Sequence, residues 1–150
     1  MLILIPTYAN AAAPVTHADA FYTMWNASSA ASVFNASSYG RVTYPPERAA
    51  IVGVTMTTDI SADCNADGYT EYMLNNWATL SRSVHHAPSA TSLDTNDPST
   101  FGTIVTFVPG ASGCTWGGLA YVNGCIYPGN RYCRAWIMYN SARILSHELG

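Results

Sequence analysis

The chain has 150 residues, 49% of them hydrophobic and 10% charged, with a formal net charge of -3. This is one domain or most of one, with enough apolar residues for a core. Its basic residues are all arginines, scattered at Arg41, Arg48, Arg82, Arg131, Arg134 and Arg143, so there is no basic patch for nucleic acid; nor is any apolar run long enough to span a membrane.

Residues 2–5 read as a fully buried strand that Pro6 ends. The run lacks a basic flank and is too short for a signal peptide. From about 16 to 37 the pattern is helical, with Phe21, Met24 and Trp25 spaced three and four apart as core packing. Tyr39-Gly40 breaks it. Residues 41–44 read as a short strand stopped by Pro45-Pro46, and residues 50–56 as another. Asp63, Asn65 and Asp67 resemble the start of a calcium loop, but Gly68 is misplaced and Leu74 stands where the closing Glu belongs. They read instead as a polar turn opening a second helix. That helix is expected over 69–84, with Met73, Trp77, Leu80 and Val84 on one face and His85-His86 just beyond, at its dipole end.

Residues 87–100 form a polar, Pro-containing loop. Residues 103–108 are a β-branched strand closed by Pro109-Gly110. Residues 119–122 read as a strand between Gly-rich turns, 127–132 as a loop, and 135–138 as a last strand before a C-terminal helix. The order predicts an α+β fold with a mixed, twisted sheet packed against helices.

Four cysteines, Cys64, Cys114, Cys125 and Cys133, suggest disulfides formed in an oxidising compartment. Three pairings are possible. The expectation is at least one bridge within the trio Cys114, Cys125 and Cys133. A structural zinc site from those three with His85 or His86 is the rival, and its spacings match no compact ligand knuckle. Two Asn-Ala-Ser sequons, at Asn26 and Asn35, fit N-glycosylation or are ordinary polar triplets.

The most informative segment is the last one. Residues 142–146 are helix-compatible, with Asn140 or Ser141 as N-cap, and run into His147-Glu148-Leu149-Gly150. A zinc peptidase needs His-Glu-x-x-His on a helix, because residues four apart share a face and can reach one metal. The second His would be residue 151. Leu145 and Leu149 form a core-facing seam, and His147 and Glu148 lie off it.

Three stretches then carry a family likeness. Residues 144–150, Ile-Leu-Ser-His-Glu-Leu-Gly, resemble the active-site helix of the gametolysin family of green-alga metallopeptidases, which are metzincin-type zincins. Cys133-Arg134-Ala135-Trp136-Ile137 resembles that family's Cys-x-Ala-Trp-Ile segment. Gly118-Leu119-Ala120-Tyr121-Val122 resembles the edge strand lining the metzincin cleft. The late segment, 114–150, is the specific part.

The resemblance implies a zincin-like fold and a secreted zinc endopeptidase acting on cell-wall or extracellular-matrix glycoproteins. Residues 1–150 would be the N-terminal part of its catalytic domain, without the signal peptide and the C-terminal subdomain. It implies His147 as a Zn2+ ligand, Glu148 as general base, and Gly118, Leu119, Ala120 and Tyr121 as the strand that pairs with extended substrate. The other His ligands and the Met-turn would lie past Gly150, so these 150 residues alone are expected to be inactive. Two rivals remain: a non-catalytic, disulfide-bonded secreted recognition domain, and a degenerate protease homologue kept for binding.

Overall fold

Leu2, Ile3, Leu4 and Ile5 are all buried, and they face alternately into two different cores. That follows from the two-residue period of a strand with both faces covered. In the computed structural model, which describes residues 1–121 and 133–149, this strand, β1 (Leu2–Thr7), is central to a six-stranded sheet. The other strands are β2 (Ala50–Thr55), β3 (Ser81–His86), β4 (Thr103–Phe107), β5 (Gly118–Ala120) and β6 (Cys133–Ile137). Their spatial order is β3-β2-β1-β4-β6-β5. The inner four are parallel, and both edge strands, β3 and β5, run antiparallel to their neighbours. The fold is α+β with a mixed sheet, as expected.

Helices cover both faces. On one, α1 (His17–Trp25), α2 (Ala30–Ser37) and α4 (Ala142–Leu149) pack through Ala20, Met24, Ala30 and Leu145 onto Ile3, Ile5, Ile51 and Val105. On the other, α3 (Ala66–Asn75) places Met73 against Leu2, Leu4, Val52 and Ile104. Among the described residues no helix is long and apolar enough to cross a membrane.

Several expectations need correction. β1 does not stop before Pro6 but runs through it to Thr7. The odd residues of β1 bond β2, as the carbonyls of Met1 and Thr7 show, so even residues face β4. β4 pairs only as far as Leu4↔Thr106. Pro6 therefore lacks its N–H on a side where no neighbour needs it.

The single helix expected over 16–37 is two. Asn26 Oδ1 accepts from Ser28 N–H at 2.9 Å, and Ser29 Oγ caps the next helix at Ser32 N–H. These local side-chain bonds compete with the helical ladder and break it between Trp25 and Ala30. Residues 41–44 form no strand. Tyr39 and Gly40 adopt left-handed φ of 54° and 78°, and the chain reaches the 3-10 turn Pro46–Arg48 without a pairing edge.

The helix expected over 69–84 ends at Asn75, where the Asn76 side chain donates to the Tyr72 carbonyl. Residues 81–86 are the edge strand β3 instead, and Val84 is exposed. The helical spacing of Met73, Trp77 and Leu80 is real burial, but it is reached by a turn. Trp77 is held from outside by Thr95, whose carbonyl also accepts from Arg82, which stacks 4.7 Å over the indole. Asn65 caps α3 by accepting from Gly68 N–H, so the Asp63–Asp67 stretch does open a helix.

In the late trio Cys133 is disulfide-bonded, while Cys114 pairs outside it with Cys64, across 50 residues. The cause is the close approach of two turns. Cys64 N–H donates to the Ser112 carbonyl at 2.9 Å, and Gly113, at φ 71°, sits where a Cβ would fall 2.2 Å from the Ala62 carbonyl oxygen. With Cys114 oxidised, the structural zinc rival loses a thiolate. No described cysteine is free; Cys125, Val122 and the loop expected at 127–132 lie outside the described residues.

A buried polar spoke ties the second core together. Trp136 Nε1 donates to Thr70 Oγ1, which also contacts Thr106 Oγ1, both at 3.0 Å. Two outcomes follow. Thr70→Val leaves the indole N–H unpaired and should cost about 1–3 kcal/mol in urea unfolding, with the Trp136 environment altered in near-ultraviolet circular dichroism. Replacing Cys64 and Cys114 together by Ala should remove about 2–4 kcal/mol, the entropy of closing a loop of this length. A change below about 0.5 kcal/mol in either would contradict the assigned role.

Candidate functional site

The amphipathic period of α4 decides what it shows to solvent. Leu145 is fully buried, and Ile144 and Leu149 pack beside it on the α1/α2 side of the sheet. That leaves His147 exposed and Glu148 half-buried at the margin. Ser146, between seam and margin, folds its hydroxyl back onto the Ala142 carbonyl at 2.6 Å.

Glu148 lies against β5. A Cβ on Gly118 would stand 2.7 Å from Glu148 Cγ, 2.8 Å from its Oε1 and 2.7 Å from Ile144 Cγ2. Gly118 is required there for space, not for backbone conformation. Gly117 approaches α4 too, with Ile144 Cδ1 at 3.0 Å from its missing Cβ. The two glycines let the helix and the edge strand touch nearly backbone to side chain. Together they bound an open cleft of about 800 Å³, shared with His147 on α4 and with Ser28 and Val33 across from it.

The four strand residues singled out in sequence divide as follows. Gly118 meets Glu148. Leu119 points away from the core and is 45% exposed. Ala120 packs inward with the α1/α2 core. Tyr121 follows the strand and still bonds β6 through the Arg134 carbonyl. Among the described residues, no strand pairs with the outer side of β5. Its far end is anchored: the Tyr121 hydroxyl donates to Asp67 at 2.7 Å, and Arg134 pairs with Asp67 at 2.8 Å and with Glu71. The hydrogen bond to Asp67 pushes the Tyr121 phenol up, so it remains a donor at neutral pH. Burial opposes the charge of Arg134, but its carboxylate bonds outweigh that and hold it firmly protonated.

Ser28 and Val33, the opposite wall, carried no signal in the sequence. They reach the cleft only because α2 packs beside α4. Asn26 and Asn35 are exposed. His85 and His86 are not at a helix end but on β3.

The fit to a metal is partial. His147 offers one accessible imidazole, and no three His, Cys, Asp or Glu side chains converge among the described residues. One imidazole leaves a metal largely solvated, so these residues do not by themselves make a closed zinc site.

Gly118→Ala tests the close approach directly. It should displace the Glu148 side chain and cost about 1–3 kcal/mol of stability as overpacking. Gly102→Ala, where a Cβ meets nothing within 4 Å, should be near neutral. Equal effects in thermal unfolding would refute the contact. Comparison with known proteins identifies no relative: no protein-family model, curated protein or solved structure matches the chain.

Proposed function

We propose that this chain carries part of the catalytic domain of a zinc metalloendopeptidase acting on extracellular or cell-wall glycoproteins. The observation that carries the reading is the seating of Glu148 against Gly118, on an antiparallel edge strand with an open outer side. A sheet edge offers an extended peptide its backbone hydrogen bonds. A peptide added along β5 would pass Glu148 at the mouth of the cleft. The zincin-like character of the fold belongs to the same proposal, and so does the supply of further ligands from sequence following Gly150.

In this reading His147 is one ligand to Zn2+, and the ion when bound supplies Lewis acidity. Glu148, one residue on, takes the proton of the attacking water and returns it to the leaving amine. The anchored Tyr121 end keeps β5 in register with the cleft, and Leu119, exposed beside it, offers apolar contact to the substrate. The Cys64–Cys114 disulfide supports an oxidising compartment.

The test uses a gene product extended past Gly150 to include a His at 151 and a further His ligand. It should retain zinc through dialysis and hydrolyse peptides; the 150-residue chain should do neither. Glu148→Gln in the extended protein should keep the metal and lose about 10²–10⁴ of its turnover, the usual share of a general base. His147→Ala should lose both. Hydrolysis at the unmutated rate by Glu148→Gln would overturn the mechanism. A residue other than His at 151 would turn β5 into the binding edge of a non-catalytic recognition domain.

A further inference from the structure

A second set of histidines lies in a cleft that shares no lining residue with that of His147. Its origin is an irregularity in β3. Ile51 pairs with His86 and Val52 with Val84, so His85 is the extra residue of a β-bulge. In a regular strand His85 and His86 would point to opposite faces. The bulge turns both toward α1, and bulges are a common device for re-aiming a side chain. His86 packs on Phe21 and Trp25 and is tied down, its Nε2 bonded to the Pro46 carbonyl at 2.8 Å. His85 instead stacks face to face on His17, the first residue of α1.

Gly53, on β2 beneath them, leaves the space into which they converge. From the position its Cβ would occupy, Ser83 Oγ is 2.7 Å away, His17 Nε2 2.9 Å and His85 Nε2 3.4 Å. Two imidazole nitrogens and a hydroxyl thus surround one point. Ser83 bonds His85 Nε2 at 2.8 Å, but His17 Nε2 is buried with no hydrogen-bond partner. A buried polar nitrogen without a partner is costly and calls for a ligand.

We propose that His17 and His85 bind a divalent transition-metal ion of the imidazole-preferring class, such as Zn2+ or Cu2+, in the cleft between α1 and β3. Each Nε2 supplies one ligand and water completes the sphere. Ser83 lies close enough to hold one of those waters. The terminal torsion of His is broad, so the stacked rings can splay to bring both lone pairs onto one ion. The remaining positions stay open, as in sites that exchange or sense a metal instead of burying it.

The experiment uses the untagged, metal-stripped 150-residue chain. Titration calorimetry with Zn2+ should show about one saturable site with a Kd of about 10–100 µM, weak enough to empty on dialysis. His17→Ala and His85→Ala should each weaken it by at least about tenfold. Electron paramagnetic resonance of the Cu2+ form should report two nitrogen ligands. Should a substitution unfold the chain, histidine-labelled NMR of the unsubstituted protein decides: Cu2+ should broaden the His17 and His85 signals before that of His147. No saturable binding by about 1 mM Zn2+, or binding that follows His147 and not His17 and His85, would overturn the proposal.

Discussion

The double burial of β1 governs the rest of the molecule. A strand with Leu2 and Leu4 on one side and Ile3 and Ile5 on the other cannot be covered by a single layer. Each apolar side chain removed from water contributes roughly 1.5–3 kcal/mol, and four adjacent ones must find partners on both faces. The sheet therefore acquires α3 on one side and α1, α2 and α4 on the other. The parallel pairing of β1 with both β2 and β4 follows, because the intervening helices provide the crossovers that parallel strands need.

That arrangement leaves two edges, and each of the two proposed sites lies at one of them. At one, α4 is drawn onto the sheet by Leu145 and brings Glu148 against Gly118 of β5. At the other, α1 is drawn down by Ala20 and Met24 and brings His17 onto the bulged β3. In each case a glycine on the sheet, Gly118 or Gly53, makes room for a side chain arriving from a helix, Glu148 or His17. The same residue type solves the same problem of close approach twice.

Rigidity is unevenly distributed around these edges. The Asp67–Arg134–Glu71 group, with Tyr121, ties the end of β5 to α3, and the Arg134 side chain is only 11% exposed. The partly exposed carboxylates keep their contact with water, so the pairing fixes geometry more than it adds stability. The disulfide joins the turn before α3 to the turn before β5, so both supports of that edge rest on α3. A site built on an edge strand gains precision from such supports.

The sequence by itself determined the strands with strong β-branched or apolar runs, β1, β2, β4 and β6, and the amphipathic helix that carries His147 and Glu148. There the local period and the tertiary burial agree, so the pattern suffices. It also placed β5 and drew attention to Gly118, though not for the reason that Gly118 matters. Tertiary structure alone decided the remainder. The Met73-Trp77-Leu80-Val84 spacing fits a helix, yet β2 offered an unpaired edge and took 81–86 as a strand. The capping bonds of Asn26 and Ser29 split one helical pattern into two. Cys64 met Cys114 because two distant turns abut, a contact that spacing along the chain does not encode. His17 and His85, 68 positions apart, became neighbours only through a one-residue bulge, since register is a property of the paired sheet and not of either strand.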